Sequence, residues 1–475
     1  MSARPLVVVG AGPAGSSAAI AAAEAGMAVT LVDENPQVGG QIYRQPPSEF
    51  EFDPGQTEDA VQSRGRQLRQ QLDQLSERIE LLTGTQVWGI FDDRRLAVIR
   101  AGCCQFLDAE RLVIAAGAYE FVPPFPGWTL PGVWTPGGAQ TMAKTMGVLP
   151  GRRALVVGTG PFLLVVANHL HQAGVQVVAV VDAVRRSEVI ASLPRLATSS
   201  CGLLWQGWRY LRRLREAGIP LINGHVIVRA DGESELREAA IAPCDVDWHP
   251  DPARVRTFSV DTLCVGYGFV PRIQLAQLAG CRLKYSEELG GWIPEVGEYG
   301  ESTSPAVWCA GDGAGVAGAA VAELEGTLAG LAAARHAGFL EKAQFTDRTR
   351  RILRKLTRLR RFRAALDRLS RVRPGLSSLA ENDTVVCRCE ELTLAEIKEV
   401  IDQGDPTQRA LKVATRLGMG PCQGRMCWPG VARCAAALTG RPIEKLGALS
   451  VRPPIQPVKL GDLAGPNSPD DKHDS

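Results

Sequence analysis

The chain has little that would carry it into or across a membrane. No apolar run in its 475 residues reaches the roughly 18 that a spanning helix needs, and the longest candidates, 6–23 and 155–166, are broken by glycines. No basic leader with a short apolar core and a small-residue cleavage site opens it. None of its 12 cysteines is spaced C-x-x-C, so the motif of dithiol–disulfide exchange is missing. With no small secreted framework for those cysteines, the expected compartment is reducing and cytoplasmic. Histidine is scarce, with six in all. His169 and His171 lie on one expected helix and read as structural. No acid–base pair stands out, so no residue is assigned a catalytic role.

Net charge is also small, at +2, but unevenly spread. Residues 348–373 hold twelve Lys or Arg against the single acid Asp367, which leaves about −9 for everything else. One basic segment on an acidic body argues against a nucleic-acid binder and for one specific surface. Its apolar residues Ile352, Leu356, Leu359, Phe362, Leu366 and Leu369 form a helical stripe. That stripe suits a helix packed on its own protein, a clamp for a partner chain, or an anionic membrane face on the inner side.

What the chain does have begins at its start. An apolar strand, 6–9, runs into Gly10-Ala11-Gly12-Pro13-Ala14-Gly15, then a small-residue helix that stops at Gly26, then a strand ending at Asp33. This is a complete dinucleotide-binding βαβ unit. Gly10 permits the tight turn, Gly12 lets backbone approach a pyrophosphate, and Gly15 lets helix pack on strand. Asp33 is placed to accept from a ribose hydroxyl, and the helix N-terminus offers N–H donors to phosphate. A second glycine turn, 37–41, follows the acid. The spacing predicts a helix over 58–82, a strand over 85–90, hairpin strands over 96–100 and 103–107, and a strand over 111–117 ending in small residues. The proline cluster 123–127 marks a crossover.

A second βαβ unit starts at Gly151, with its turn at Gly158-Thr159-Gly160-Pro161-Phe162-Leu163 and Asp182 after the second strand. Leu163 stands where the third glycine belongs, which pushes helix off strand. Asp182 would suit a plain ribose, and Arg185 and Arg186 a 2′-phosphate. A helix over 203–217 and strands over 221–229, 238–242 and 257–265 complete this half. The run 263–271 repeats the strand-then-small-turn pattern, and 307–313 brings a strand into Gly311 and Asp312 before an alanine-rich helix.

The last motif is C-x-C, 32 residues, then C-x4-C: Cys387, Cys389, Cys422 and Cys427. Thr393 and Glu396 form a capping box for a helix to about 403, with further helices expected over 408–417 and 431–438. Four thiolates on short helices hold either zinc or an iron–sulfur cluster, or simply pack. The C-x-C spacing departs from the usual zinc knuckle, and the glycines of 418–424 free N–H groups for cluster sulfurs. Cys434 reads as core. The end of the tail, 453–475, has a disordered composition, and its first half is a candidate docking arm.

The first stretch resembles the FAD site of two-dinucleotide-domain flavoproteins. The small turn at Ala116-Gly117 resembles the one that closes their first lobe, and Gly311-Asp312 their second FAD signature. The terminal stretch resembles the bacterioferritin-associated-ferredoxin-like (BFD-like) [2Fe–2S] domain. Most of the chain, about 4–462, resembles the α (A) subunit of multisubunit dye-linked amine dehydrogenases. That group includes the A component of opine oxidase, the α components of hydroxyproline and proline dehydrogenases, and the B component of hydrogen cyanide synthase. The run 37–44 is closer to the opine and hydroxyproline branch.

The resemblance implies an α/β fold: a glutathione-reductase-like Rossmann pair with a small C-terminal all-α BFD-like domain. It divides the chain into an FAD domain (1–122 and 273–340), a second dinucleotide domain (123–272), a basic helical linker (341–378), the cluster domain (379–450) and an arm and tail (451–475). FAD would be held by Gly10, Gly12, Pro13, Ala14, Gly15, Asp33, Glu34, Gly40, Gln41, Val87, Ala116, Gly117, Gly311 and Asp312. Gly158 and Gly160 would serve any nucleotide of the second fold, and the four cysteines one [2Fe–2S] cluster. A second nucleotide or an FMN at a subunit interface fits the same family pattern. Implied partners are a D-amino-acid-oxidase-like β subunit, which oxidises the C–N bond, and a small ferredoxin-like γ subunit. The implied function is electron transfer within a hetero-oligomer. Open beside it stand a self-sufficient NAD(P)H-dependent reductase, a cyanide-forming component that acts on glycine, and a non-catalytic scaffold that binds a nucleotide for stability.

Overall fold

The computed structural model describes residues 4–45, 60–199, 201–404 and 406–464. The first two residues of the helix expected over 58–82, and the tail end 465–475, lie outside them. Two five-stranded parallel sheets organise the described chain. In the first, Val7–Val9 lies between Val29–Val32 and Leu112–Ile114, with Val307–Cys309 and Ile79–Leu82 at the edges. In the second, Arg153–Gly158 lies between Gln176–Asp182 and Thr262–Gly266, with Leu221–Asn223 and Val133–Trp134 outermost. The central strands are apolar and buried, as strands covered on both faces must be. An antiparallel pair, Ala118–Glu120 with Phe269–Pro271, joins the two sheets, and both chain crossovers pass through it.

The helix Pro13–Glu24 is small-residued all round and buried nearly all round. It crosses Ala319–His336 so closely that a Cβ at Gly326 would lie 1.9 Å from the Ala14 carbonyl oxygen, and one at Gly330 2.2 Å from that of Ala18. Two backbones in contact leave no room for side chains, which explains the run of alanines in both helices.

Three expected elements are corrected. The helix Ala60–Gln74 stops well before residue 82, and Ile79–Leu82 is a strand. Ile79 and Leu82 face inward, while Glu80 and Leu81 are exposed. The edge of the first sheet thus overrides a leucine spacing that mimicked a helix. The span 221–229 breaks at Gly224 (φ +69°), where the chain leaves the parallel sheet for an antiparallel one, His225–Asp231 with Glu238–Pro243. The span 257–265 breaks at Asp261, whose carboxylate accepts from the N–H groups of Arg152 and Arg153 at 3.0 Å. The helix Arg186–Ser199 has no counterpart among the expected elements.

The basic segment forms one helix, Lys342–Ser370. Its stripe packs on its own protein: Leu356 against Val321 and Leu328, and Phe362 and Leu369 into the core of the second fold. The cysteine segment has its own core of Val386, Leu394, Ile397, Leu411 and Val431. It rests on the crossover, where Trp128 Nε1 donates to the Val385 carbonyl at 2.6 Å and Arg433 pairs with Glu287 at 3.3 Å. The expected capping box forms, with the Thr393 hydroxyl and the Glu396 carboxylate each accepting from the other's N–H. The segment after it docks on the body: Ile455 is buried and donates to the Trp88 carbonyl at 2.9 Å.

Replacing Gly330 by Ala should cost about 1–3 kcal/mol, the scale of overpacking a tight crossing. Gly207→Ala, in a helix where an added Cβ meets nothing within 4 Å, should be neutral or stabilising by up to about 1 kcal/mol. Thermal unfolding of the pair checks this; equal midpoints would contradict the packing account.

Candidate functional site

A cavity of about 830 Å³ opens where the first sheet's carboxyl ends meet the second domain. That is near the upper size of small-molecule sites, ~1,000 Å³, and large enough for a dinucleotide. Gly10, Gly12, Pro13, Ala14, Asp33, Glu34, Gly40, Gln41, Val87, Ala116, Gly117 and Asp312 all line it. The two glycine turns face each other: Gly40, at φ +60°, would put a Cβ 2.8 Å from the Gly12 Cα. Gly12 caps the helix Pro13–Glu24 with no side-chain hydrogen bond, so its first-turn N–H groups are available to an anion. Gly15 lies beneath the cavity: a Cβ there would sit 1.7 Å from the Gly10 oxygen, the helix-on-strand contact its position called for. Gly311, at φ +72°, packs against Ala14 and Ala322 and presents Asp312, which accepts from Ala317 and Gly318 N–H at 2.9 Å.

Asp33 reaches the cavity wall and is also tied to its own chain. It is buried, and its oxygens accept from Ala11 N–H and from both the backbone and side chain of Asn35. It ties the first glycine turn to the end of its strand. The next residue, Glu34, lines the cavity and is more exposed. Burial pushes the Glu34 carboxyl up, but the Arg272 guanidinium at 3.1 Å and the Gln456 amide more than offset it, so it lies below its ordinary value.

Several cavity residues carry no signal of their own in the sequence. Tyr119 and Glu120 follow the turn at Gly117, and Arg272 follows Pro271, so both strand-then-small-turn segments pointed at them without naming them. Glu120 accepts from Gly137 N–H at 2.8 Å, at the start of the helix Pro136–Thr145. Burial raises its carboxyl, partly offset by Thr135 and the N–H groups of Gly137 and Gly138. Arg425 and Met426 reach the same cavity from the cysteine loop.

The second glycine turn does something different. Gly158, at φ +152°, lies against the Gly266 carbonyl, and a Cβ at Gly160 would lie 3.7 Å from Ser370 at the end of the basic helix. Thr159, Gly160 and Pro161 face a separate cavity of about 180 Å³, walled by that helix and by the cysteine segment. Leu163 is buried in the core beside Ala154 and Val156. Asp182 accepts from Val184 N–H at 3.0 Å, and burial pushes its carboxyl up to about 7 despite that bond. Arg185 donates to the Cys244 carbonyl at 3.0 Å. Arg373, just past the basic helix, pairs with Glu188 at 2.7 Å and lies over Trp248. His169 borders the large cavity beside Gln140.

The four cysteines gather in one loop cluster. Cys387 ends the strand Val385–Cys387, and Cys427 precedes the helix Trp428–Thr439. Thiol contacts run Cys387–Cys427–Cys422–Cys389. The Cys427 thiol and the N–H groups of Glu390, Gly418 and Cys389 bring Cys387 down to about 6 against burial. The Cys427 thiol and the N–H groups of Met426 and Gly424 bring Cys422 to about 5 against burial. Gly420 wraps Cys389, where a Cβ would meet the Cys389 Cβ at 2.3 Å. Among the described residues no three His, Cys, Asp or Glu converge as ligands of a single ion. Cys434 is buried core, donating to the Ser377 carbonyl.

Comparison with known proteins follows this division. Residues 4–337 match the family model described as pyridine nucleotide-disulphide oxidoreductase, and 381–466 the sarcosine oxidase A3 domain. The chain is 36% identical to hydrogen cyanide synthase subunit HcnB of Pseudomonas aeruginosa, over 96% of this chain and 97% of that one. It is 31% identical to the A component of opine oxidase from Rhizobium meliloti, over 98% and 99%. Among solved structures, L-proline dehydrogenase from P. horikoshii shares the fold at TM-score 0.66 and 21% identity, covering 96% of this chain and 78% of that one.

The Asp182 carboxyl supplies a pH test. Its folded value, about 7, lies above the ordinary 3.8. Between those values the folded chain keeps a proton that the unfolded chain has released. The group's contribution to stability is therefore full below about pH 4 and lost as pH rises through about 7. Asp182→Asn should lessen the fall in thermal midpoint between about pH 4 and 7. An unchanged slope would mean the carboxyl is ionised in the fold.

Proposed function

This chain belongs to the pyridine nucleotide-disulphide oxidoreductase family, alongside hydrogen cyanide synthase subunit HcnB and the A component of opine oxidase, and from that premise we propose that it is the electron-transfer subunit of an amine-, imino-acid- or opine-oxidising complex. The chain is an oxidoreductase, and the relatives are named as subunits, which supports a hetero-oligomer. The finer reading is that it binds FAD and one [2Fe–2S] cluster and passes on electrons taken from a D-amino-acid-oxidase-like partner, with a small ferredoxin-like third subunit.

One observation carries this reading. The cavity walled by both glycine-rich signatures is also walled by Arg425 and Met426, which lie between two of the four cysteines. A nucleotide site and a thiolate site therefore share one wall. FAD fits the cradle, where side chains are excluded at Gly10 and Gly40 and a helix N-terminus is uncapped. Gly12, Pro13, Ala14, Gly40 and Gln41 would meet the pyrophosphate, Asp33 with Glu34 the ribose, and Val87 the adenine side. Ala116, Gly117 and Asp312 would border the ribityl chain.

The donor set also fits an iron–sulfur cluster. A [2Fe–2S] cluster divides four thiolates between two irons, which suits thiols that touch in sequence without converging on one point. Backbone N–H groups aimed at sulfur lower the cost of thiolate charge and tune potential. When bound, the flavin exchanges electron pairs and the cluster exchanges single electrons. The chain's own residues orient them, exclude water and hold the nearby carboxylates at fixed charge.

No observation favours a nicotinamide-dependent reductase. Asp182 and Arg185 are committed to their own fold, and the second glycine turn faces the chain's own basic helix. The purified chain should release about one FAD on denaturation, and NADH or NADPH should not bleach it anaerobically. Dye reduction with D-hydroxyproline, proline, glycine or opines should need the co-expressed partner. Substrate-dependent dye reduction by the isolated chain, at the complex's rate, would sink the proposal; rapid bleaching by NAD(P)H would restore the reductase. Cys422→Ser should lose iron and acid-labile sulfide together while FAD stays.

A further inference from the structure

A ladder of four side chains runs from the nucleotide cavity to the cysteine loop. Glu34 pairs with Arg272 at 3.1 Å. The Arg272 guanidinium lies 4.5 Å from the centre of the Tyr119 ring. The Tyr119 hydroxyl accepts from Arg425 Nη1 at 3.2 Å, and Arg425 Nε donates to the carbonyl of Cys422 at 2.9 Å. The Arg425 guanidinium also lies 5.5 Å from the Tyr119 ring centre. Arg425 is thus fixed at three points, in the middle of the loop between Cys422 and Cys427.

Its charge has no direct ion-pair partner, though with Arg272 it helps hold the Glu34 carboxyl down. Arg416 and Arg433, on either side in sequence, are paired with Glu390 and Glu287. Among the described residues no carboxylate lies within ion-pair distance of Arg425. A cationic group held beside a thiolate cluster favours whichever redox state carries more negative charge. Adding one electron to a cluster adds one negative charge, so a fixed guanidinium nearby stabilises the reduced form. A planar fork is needed to reach the Cys422 carbonyl and the Tyr119 hydroxyl together, and an ammonium on a flexible stem does not supply one.

We infer that Arg425 is the positioning residue that holds the cluster's reduction potential up, and that Tyr119 fixes it there. The inference rests on the reading that Cys387, Cys389, Cys422 and Cys427 carry an iron–sulfur cluster. Arg272 and Glu34 extend the same array to the cavity, so a cation fixed against the cluster also belongs to the wall of the nucleotide site. Electrons then meet a cluster poised to accept them on the side that faces the cavity. The array moves no proton and makes no bond; it sets the energy of the acceptor.

The test is an anaerobic redox titration of the full chain, followed by the cluster's paramagnetic resonance signal and visible absorbance, with iron, sulfide and FAD measured on each sample. The variants are Arg425→Gln, Arg425→Lys and Tyr119→Phe. The expected result is a midpoint shifted to more negative potential in Arg425→Gln, with a smaller shift of the same sign in Tyr119→Phe and Arg425→Lys, at unchanged iron and sulfide. An unshifted midpoint in an iron-replete Arg425→Gln protein overturns the inference. Should Arg425→Gln lose its iron, Tyr119→Phe, which removes one oxygen atom, decides: a negative shift supports the inference and no shift overturns it. Wild-type protein with FAD but without iron and sulfide would instead overturn the cluster reading, and the inference with it.

Discussion

Backbone lies directly on backbone at a handful of glycines, and the site follows from that constraint. At Gly15 the first helix touches the turn at Gly10, and at Gly326 and Gly330 a second helix touches the first. These contacts seat the uncapped N-terminus of Pro13–Glu24 against the end of its strand and bring Asp312, nearly 300 positions away, to the same cavity. A methyl group at any of these points would push the helices apart and widen the cradle. Fold and ligand site are therefore held by the same contacts.

Electrostatics in the cavity wall are arranged in opposing pairs. Glu34 is kept charged by Arg272 and Gln456, and Glu120 is held at a helix N-terminus by N–H groups. In the second fold burial outweighs compensation at Asp182, because the nearby Arg373 is paired with Glu188, and Arg185 bonds to its own protein. One of the two sibling folds keeps an open cradle, while the other braces the basic helix and the cysteine segment. This asymmetry suits a chain in which electrons travel from the first fold toward the cysteines.

Much of this was legible in the residues. The two βαβ units, the crossover segments, the basic helix and the capping box at Thr393 follow local rules of glycine placement, period and capping, and such rules read directly. Leu163 stands at the third position of its turn, and the fold seats it in the core beside Ala154 and Val156. Failures came where distant pairing decided the outcome. Ile79 to Leu82 had helical spacing but serves as an edge strand, because Val29–Val32 needed a neighbour. Asp33 stands where its spacing put it, but the bonds its carboxylate accepts from Ala11 and Asn35 had no local signal. Tyr119, Arg272 and Arg425 come from three separate segments and meet only once those are folded together. No pattern along the chain could announce that meeting.

The central claim is that electrons from a substrate-oxidising partner reach the thiolate cluster of this chain. Freeze-quench paramagnetic resonance on the complex tests it most directly. With partner and amine substrate mixed anaerobically, a reduced-cluster signal belonging to this chain should appear on the timescale of turnover, and Cys422→Ser should abolish it. The account is contradicted if the complex turns over substrate with no such signal, or if this chain without its partner gives the signal with substrate.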